Sequence, residues 1–244
     1  MIPGVVAANT GFLFKDRPFL ERIALAAQHG FGAVEFHDEA QGETIDDVRA
    51  ALREPDLPLL GLNTRAGDTT GCAGIPGEVR QARADIDHAI ETAHALGGRA
   101  VHVLAGKADD TEEAWATYRA NLLHAADTAP NLTILIEPLS PVAVPGYLLP
   151  TVAKAASVVE FVGRTNVKIM FDLFHVAQVG DDIERTFADY RAHIGHMQIS
   201  DPQTRHEPSP DLLRSVRRMG WTGSIGAEYD ARGAVADSLD WMHA

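Results

Sequence analysis

The strongest constraint on the fold is an alternation, repeated eight times along the chain, of a short apolar run and a helical stretch. Strands buried on both faces of a parallel sheet appear in a sequence as short runs of this kind. Eight strand–helix units close naturally into a (β/α)8 TIM barrel, whose usual length of about 250 residues matches this chain of 244. The expected strands are residues 5–8, 33–36, 58–62, 100–104, 132–136, 167–171, 196–199 and 224–227.

The stretches between these runs carry helical spacing and helix-end signals. Phe19, Ile23 and Ala26 recur at helical spacing, and Asp110 and Thr111 precede two acids at another predicted helix start. An open doubly wound sheet is the alternative, but residues 9–14 lack the Gly-rich spacing of its phosphate loop. We therefore predict one barrel domain over residues 1–244. Glycines just past predicted helix ends are Gly30, Gly97, Gly98, Gly163 and Gly220.

The charge of the chain excludes several classes of partner. A net charge of −13 would repel nucleic acid and anionic membrane surfaces. No apolar run approaches the roughly 20 residues that span a bilayer. Cys72 is the only cysteine, so no intrachain disulfide is possible. We expect a cytoplasmic protein with no nucleic acid partner, no membrane partner, and association into a homo-oligomer.

Polar residues collect at the ends of the last four predicted strands, where the active site of a barrel lies. Glu137, Asp172 and Glu228 each follow an apolar run, and Gln198 lies in the seventh run. Three acids at one rim would repel one another unless some hold protons or a cation binds. Three carboxylates and a carboxamide oxygen suit Mg²⁺ or Mn²⁺, so we predict one divalent metal ion at this rim.

Histidines and a further acid also lie near predicted strand ends. His175 and His196 could equally make core hydrogen bonds or contact a substrate. Glu35, His37 and His102 are interpreted as structural residues.

Three stretches of the chain carry a family resemblance that extends over nearly its whole length. The sequence resembles the hydroxypyruvate isomerase family, within the xylose isomerase-like barrels that also include ketose 3-epimerases. In the epimerases a histidine usually stands at the position of Gln198, which favours the isomerase branch. The stretches are Ile136-Glu137-Pro138 with Val144-Pro145-Gly146-Tyr147, Gly195-His196-Met197-Gln198-Ile199, and Arg205-His206-Glu207-Pro208.

The resemblance implies a role for each of these residues. Glu137 and Glu228 would be the catalytic acid/base pair, and the same four residues named above would be the metal ligands: Glu137, Asp172, Gln198 and Glu228. His175 and Arg205 would contact substrate, with His196 a weaker candidate. An arginine suits a substrate carboxylate because it can pair with both oxygens.

The implied reaction interconverts hydroxypyruvate and 2-hydroxy-3-oxopropanoate (tartronate semialdehyde). Moving a carbonyl between adjacent carbons requires proton transfer through an enediolate, whose charge a divalent metal would stabilise.

One departure from the family leaves the substrate open. After Pro208 the family carries a longer segment, whereas here Ser209-Pro210 runs almost directly into the next helix. A 2-oxo-tetronate isomerase or a ketose 3-epimerase acting on a longer sugar is therefore an alternative. More distant alternatives are an endonuclease IV-like DNA repair enzyme and a barrel that binds a sugar acid without catalysis. The endonuclease would need additional histidines, for which His37 and His102 are the candidates, and a basic DNA-binding face.

Overall fold

Eight parallel strands form a closed barrel in chain order in the computed structural model, which describes residues 4–243. Each strand pairs with the next one, and β8 pairs with β1. The predicted (β/α)8 fold is confirmed, with strand ends shifted by at most a few residues. The strands are β1 (Val6–Asn9), β2 (Ala33–Phe36), β3 (Leu59–Asn63), β4 (Ala100–His102), β5 (Thr133–Ile136), β6 (Val167–Asp172), β7 (Ile194–Ile199) and β8 (Ile225–Ala227).

The helices pack around the outside of this barrel, each through one apolar stripe. In the helix of residues 79–96 the buried positions include Ile86, Ala89, Ile90 and Ala93, which share one face at helical spacing. The helices are α1 (Phe19–Gln28), α2 (Ile45–Arg53), α3 (Val79–Leu96), α4 (Glu112–Thr128), α5 (Val152–Val162), α6 (Leu173–Gln178), α7 (Ile183–Tyr190) and α8 (Pro210–Arg218).

Capping hydrogen bonds and positive φ values are found at most of the predicted helix ends. Thr111 caps α4 by accepting a hydrogen bond from the Ala114 amide. Ser209 caps α8 in the same way, by accepting a hydrogen bond from the Leu212 amide, so this helix begins at Pro210. The short segment after Pro208 indicated such an early start. Gly98 differs from the prediction, because it packs against Ala93 rather than adopting positive φ. Glycines with positive φ at predicted helix ends are Gly30, Gly97, Gly163 and Gly220.

Side chains inside the barrel form layers, because alternate residues of a strand point to the same face. Leu135 precedes Glu137 by two positions, and Met170 precedes Asp172 in the same way. In the layer nearer the N-terminal ends of the strands, small residues leave space that bulky branched side chains fill in many barrels. A cavity of about 310 Å³, here called the inner cavity, results. Its lining includes Gly61, Ala100, Leu135, Met170 and Gly195, and towards the C-terminal ends Glu35, His196 and Gln198.

None of the helices within residues 4–243 is long and apolar enough to cross a membrane. The single domain over residues 1–244 and the homo-oligomer stay predictions.

Candidate active site and metal centre

The C-terminal rim of the barrel gathers the four residues that the sequence suggested as metal ligands. Asp172 ends β6 and is the registered partner of Gln198 on β7, while Glu137 and Glu228 directly follow β5 and β8. All four are buried, with at most 5% of each residue exposed. The closed barrel therefore holds three carboxyl groups and one carboxamide together, away from bulk water.

Several oxygens at this rim have unused hydrogen-bonding capacity. Within residues 4–243, Glu137 Oε1, Asp172 Oδ2 and Gln198 Oε1 are buried and accept no hydrogen bond. Each buried, unpaired polar atom costs about 1–3 kcal/mol unless another ligand satisfies it. Oxygens of this kind are the ligands that Mg²⁺ and Mn²⁺ prefer. The residues present therefore fit a divalent cation.

Histidine belongs to the same constellation. One nitrogen of His175 and one oxygen each of Glu137 and Asp172 lie within 4.8 Å of one another, close enough to share an ion. Glu228 is held separately, because Arg205 Nη2 donates to its Oε1 at 2.7 Å and Asn9 Nδ2 donates to its Oε2 at 3.0 Å.

Burial and crowding raise the pKa values of two carboxyl groups, those of Glu137 and Glu228. Burial, together with the negative charges of Glu228 and Asp172, raises the pKa of Glu137 well above its ordinary value. Burial raises the pKa of Glu228 to about 8, against the opposing charge of Arg205. Two carboxyl groups able to hold a proton near neutral pH thus lie at the rim. Such groups suit general acid and general base chemistry.

Arg205 brings the positive charge that this rim needs. It lies in the loop after β7 with φ of 58°, and its guanidinium packs over the rings of Phe12 and Phe174 at 4.7 and 4.8 Å. Its Nη2 atom also lies 3.7 Å from Asp172 Oδ2. The aromatic rings fix the guanidinium beside the carboxyl groups, at the edge of the site.

His175 presents a second donor beside Arg205. The Ser140 amide donates to His175 Nδ1 at 3.1 Å, and a neutral ring that accepts there carries its proton on Nε2. Burial lowers the pKa of His175 to about 4, which keeps the ring neutral. Nε2 also lies 2.9 Å from Arg205 Nη1, which can only donate, so a neutral ring can satisfy Ser140 or Arg205 but not both. An anionic ligand oxygen that accepted from Arg205 Nη1 and from a protonated Nε2 would remove this conflict.

Asp172 links His175 to the other candidate metal ligands. Its Oδ1 accepts from the amides of Phe174 and His175 at 2.7 and 3.2 Å and so caps α6. Oδ2 is left facing the rim. The same aspartate therefore positions His175 and offers an oxygen for an ion.

His196 lies one layer below Gln198 and does not line the cavity at the mouth. Its Nε2 atom is 2.7 Å from Glu35 Oε2, so this nitrogen is used inside the barrel rather than towards a substrate. Of the residues predicted to bind substrate, the structure brings His175 and Arg205 together at the mouth but leaves His196 beneath them.

Two polar residues of the first strands complete the site, and the sequence analysis missed their role. Glu35 was interpreted as structural and Asn9 was not considered, yet both contact site residues. Burial works against ionisation of Glu35, but hydrogen bonds from His196, Gln198 and Asn9 hold its pKa below the ordinary value. The available signal was their position, because Asn9 ends β1 and lies in register with Glu35 on β2.

The mouth of the barrel opens into a cavity of about 360 Å³. This mouth cavity is large enough for a small sugar acid, and polar residues from several strand ends line it. His37, also interpreted as structural, lines it, with Nε2 4.0 Å from Glu228 Oε1. The lining includes Phe12, His37, Asn63, Glu137, Val144, His175, Arg205 and Glu228.

Comparison with known proteins agrees with this architecture. The family model described as xylose isomerase-like TIM barrel matches residues 23–244. The chain is 35% identical to a 2-oxo-tetronate isomerase from Cupriavidus necator, with 97% of this chain and 96% of the relative covered. It is 31% identical to a hydroxypyruvate isomerase from Escherichia coli, with 97% of each chain covered.

A solved structure described as an AP endonuclease of family 2 from Brucella melitensis superposes with a TM-score of 0.92. It is 32% identical in sequence and covers 99% of this chain and 98% of its own.

The raised pKa of Glu228 predicts proton release when a metal binds. Below about pH 8 the buried carboxyl holds a proton, and an ion that binds the ionised form must expel it. Mn²⁺ affinity should therefore increase as the pH rises towards 8. Isothermal titration calorimetry at pH 7, in buffers of different ionisation enthalpy, measures the protons released. The Glu228→Gln variant should release fewer of them, and binding that is independent of pH and of buffer would contradict the prediction.

Proposed function

The chain belongs to the xylose isomerase-like TIM barrel family and is an isomerase, and on that premise we propose that it interconverts hydroxypyruvate and 2-hydroxy-3-oxopropanoate with one Mg²⁺ or Mn²⁺ ion. The observation that carries the proposal is the set of three buried, unpaired oxygens on Glu137, Asp172 and Gln198. The Glu228 carboxyl group, with its raised pKa, and the contact between Arg205 and His175 lie beside them.

Proton transfer falls to the two glutamates. The reaction removes a proton from the carbon that bears a hydroxyl group and delivers one to the neighbouring carbon, while the hydroxyl proton passes to the oxygen of the former carbonyl. One of Glu137 and Glu228, in its ionised form, would accept the first proton, and the other would return a proton. When bound by Glu137, Asp172, Gln198 and Glu228, the divalent ion would supply Lewis-acid stabilisation of the negative charge that develops on substrate oxygen.

Binding of the substrate carboxylate falls to Arg205 and His175. Their donors lie 2.9 Å apart at the mouth, an arrangement that one carboxylate oxygen can satisfy. The guanidinium can also donate to the second oxygen, which a lysine cannot do in the same fixed plane. The substrate would therefore enter with its carboxylate towards Arg205 and its reacting carbons towards the glutamates.

A longer substrate is the second candidate. The Cupriavidus necator relative is named for 2-oxo-tetronate, and the mouth cavity of about 360 Å³ has room for one more carbon. The same residues would carry out the same carbonyl shift on that acid.

Endonuclease activity is a third candidate because of the name of the Brucella melitensis structure. The net charge of −13 opposes it, since DNA binding depends on neutralising phosphates.

Turnover by metal-stripped protein is a direct test of the proposed reaction. Metal-stripped protein should convert hydroxypyruvate only after Mg²⁺ or Mn²⁺ is added, and NMR should detect 2-hydroxy-3-oxopropanoate. Parallel samples with three- to six-carbon substrates and with an abasic-site DNA duplex distinguish the candidates. Metal-dependent turnover of a four-carbon 2-oxo acid alone would move the assignment to that substrate. Metal-dependent nicking of the DNA without isomerisation would contradict the proposal.

The Glu228→Gln variant tests the role of this carboxyl group in proton transfer. The carboxamide keeps the shape of the side chain and can still accept from Arg205, so the protein should fold normally. It has no carboxyl proton to exchange, so kcat should fall by about 10²–10⁴-fold, the usual contribution of a positioned acid or base. Steady-state kinetics at saturating Mn²⁺ measure this fall. Near-normal kcat would exclude Glu228 as a proton carrier.

The Arg205→Lys variant tests the role of the guanidinium in binding the substrate carboxylate. Lysine keeps the charge but loses the planar pair of donors, so KM for hydroxypyruvate should rise on the order of tenfold, equivalent to about 1.4 kcal/mol. The matched control is Arg214→Lys on α8, where the arginine pairs with exposed Asp211. An unchanged KM for Arg205→Lys would remove this residue from carboxylate binding.

A further inference from the structure

A carboxyl group lies inside the barrel, one layer below the proposed ligands. Glu35 on β2 is 4% exposed and faces three donors. Gln198 Nε2 and Asn9 Nδ2 donate to its Oε1 at 2.9 and 3.2 Å, and His196 Nε2 lies 2.7 Å from its Oε2. Burying a carboxylate is expensive unless its hydrogen bonds are satisfied. Glu35 is satisfied, and two of its three partners are amides of the rim.

The contact with Gln198 decides which end of the carboxamide faces the rim. An ionised carboxylate only accepts hydrogen bonds, so Gln198 must present its NH₂ group to Glu35. The opposite atom, Oε1, is buried and accepts no hydrogen bond from the described residues. If the amide were reversed, two oxygens would face each other below and an NH₂ group would face the ion. Glu35 thus selects the oxygen of Gln198 as the available ligand atom.

A second contact links Glu35 to Glu228. Asn9 Nδ2 donates to Glu35 Oε1 and to Glu228 Oε2, at 3.2 and 3.0 Å. The orientation of this amide is fixed as well, because Asn9 Oδ1 accepts from the Gly11 amide at 3.0 Å. One buried carboxylate therefore reaches two of the four proposed ligands, one directly and one through Asn9.

Strand β8 leaves room for the Glu35 carboxylate. Gly226 on β8 is the registered partner of Gln198. A Cβ atom at position 226 would lie 2.1 Å from Glu35 Oε1 and 2.5 Å from its Cδ, far inside van der Waals contact. No side chain larger than hydrogen fits there while Glu35 keeps its position.

We infer that Glu35 is a positioning residue of the metal centre, which turns the Gln198 oxygen towards the ion and, through Asn9, holds Glu228 in place. The inference rests on the metal centre of the proposed function and adds a residue that does not itself touch the ion. Partners that orient metal ligands in this way typically change metal affinity by 10–100-fold when they are removed.

The test is Mn²⁺ affinity, measured by calorimetry and by electron paramagnetic resonance without any substrate. Glu35→Gln keeps the shape but removes the obligatory acceptor, so Kd should increase by about 10–100-fold. Glu35→Asp keeps the charge but withdraws the acceptor by one carbon, and its Kd should also rise. Glu39→Gln is the matched control, because it removes one negative charge just after β2 from a residue that pairs with Arg22. Its Kd should stay within about twofold of that of the original protein.

A double-mutant cycle separates positioning from general support of the fold. In a Gln198→Ala background the main route from Glu35 to the ion is absent, so Glu35→Gln should weaken Mn²⁺ binding only a few-fold further. Gly226→Ala, compared with Gly233→Ala where a Cβ meets nothing within 4 Å, should weaken binding without changing any polar residue.

The outcomes distinguish the two proposals. If the original protein binds Mn²⁺ and both Glu35 variants bind it equally well, the inference is overturned while the metal centre stands. An equal loss from Glu35→Gln with and without Gln198 also overturns it. If the original protein binds no Mn²⁺, the metal centre of the proposed function fails and the inference fails with it.

Discussion

The structure depends on how repulsion between buried carboxyl groups is balanced at one end of the barrel. Glu137, Asp172 and Glu228 are held at the rim by strands that close on themselves, so they cannot separate. Arg205 offsets part of the charge, and raised pKa values allow protons to offset more. The oxygens that remain unpaired fit a divalent ion. The proposed proton chemistry and the proposed metal binding thus both follow from the same crowding.

The barrel and the grouping of four polar residues at its rim were accessible from the sequence. Short buried strands identify themselves by apolar runs, and an acid that directly follows such a run stands out, as Glu137 does after residues 134–136. Because parallel strands end at a common rim, placing Glu137, Asp172, Gln198 and Glu228 together needed only the strand order. The helix start at Thr111 followed from local signals alone, a capping residue followed by two acids.

The support beneath the rim was not accessible in the same way. Which polar groups meet across a barrel depends on closure and register, and these join Glu35 to His196 across 161 positions of sequence. A period of two does suggest that His196 points the same way as Gln198, one layer lower. It does not say that Glu35 occupies the space that Gly226 leaves open. Likewise, Arg205 lies in a loop and has a φ of 58°, a backbone conformation that no periodic sequence pattern reveals.

Anomalous diffraction from crystals grown with Mn²⁺ would locate a bound ion in the barrel. We expect one peak at the C-terminal rim, bonded to Glu137, Asp172, Gln198 and Glu228 through oxygen, with Arg205 no longer paired to Glu228. A rim without an anomalous peak at saturating Mn²⁺, with the Arg205–Glu228 pair intact, would show that these residues do not form a metal centre.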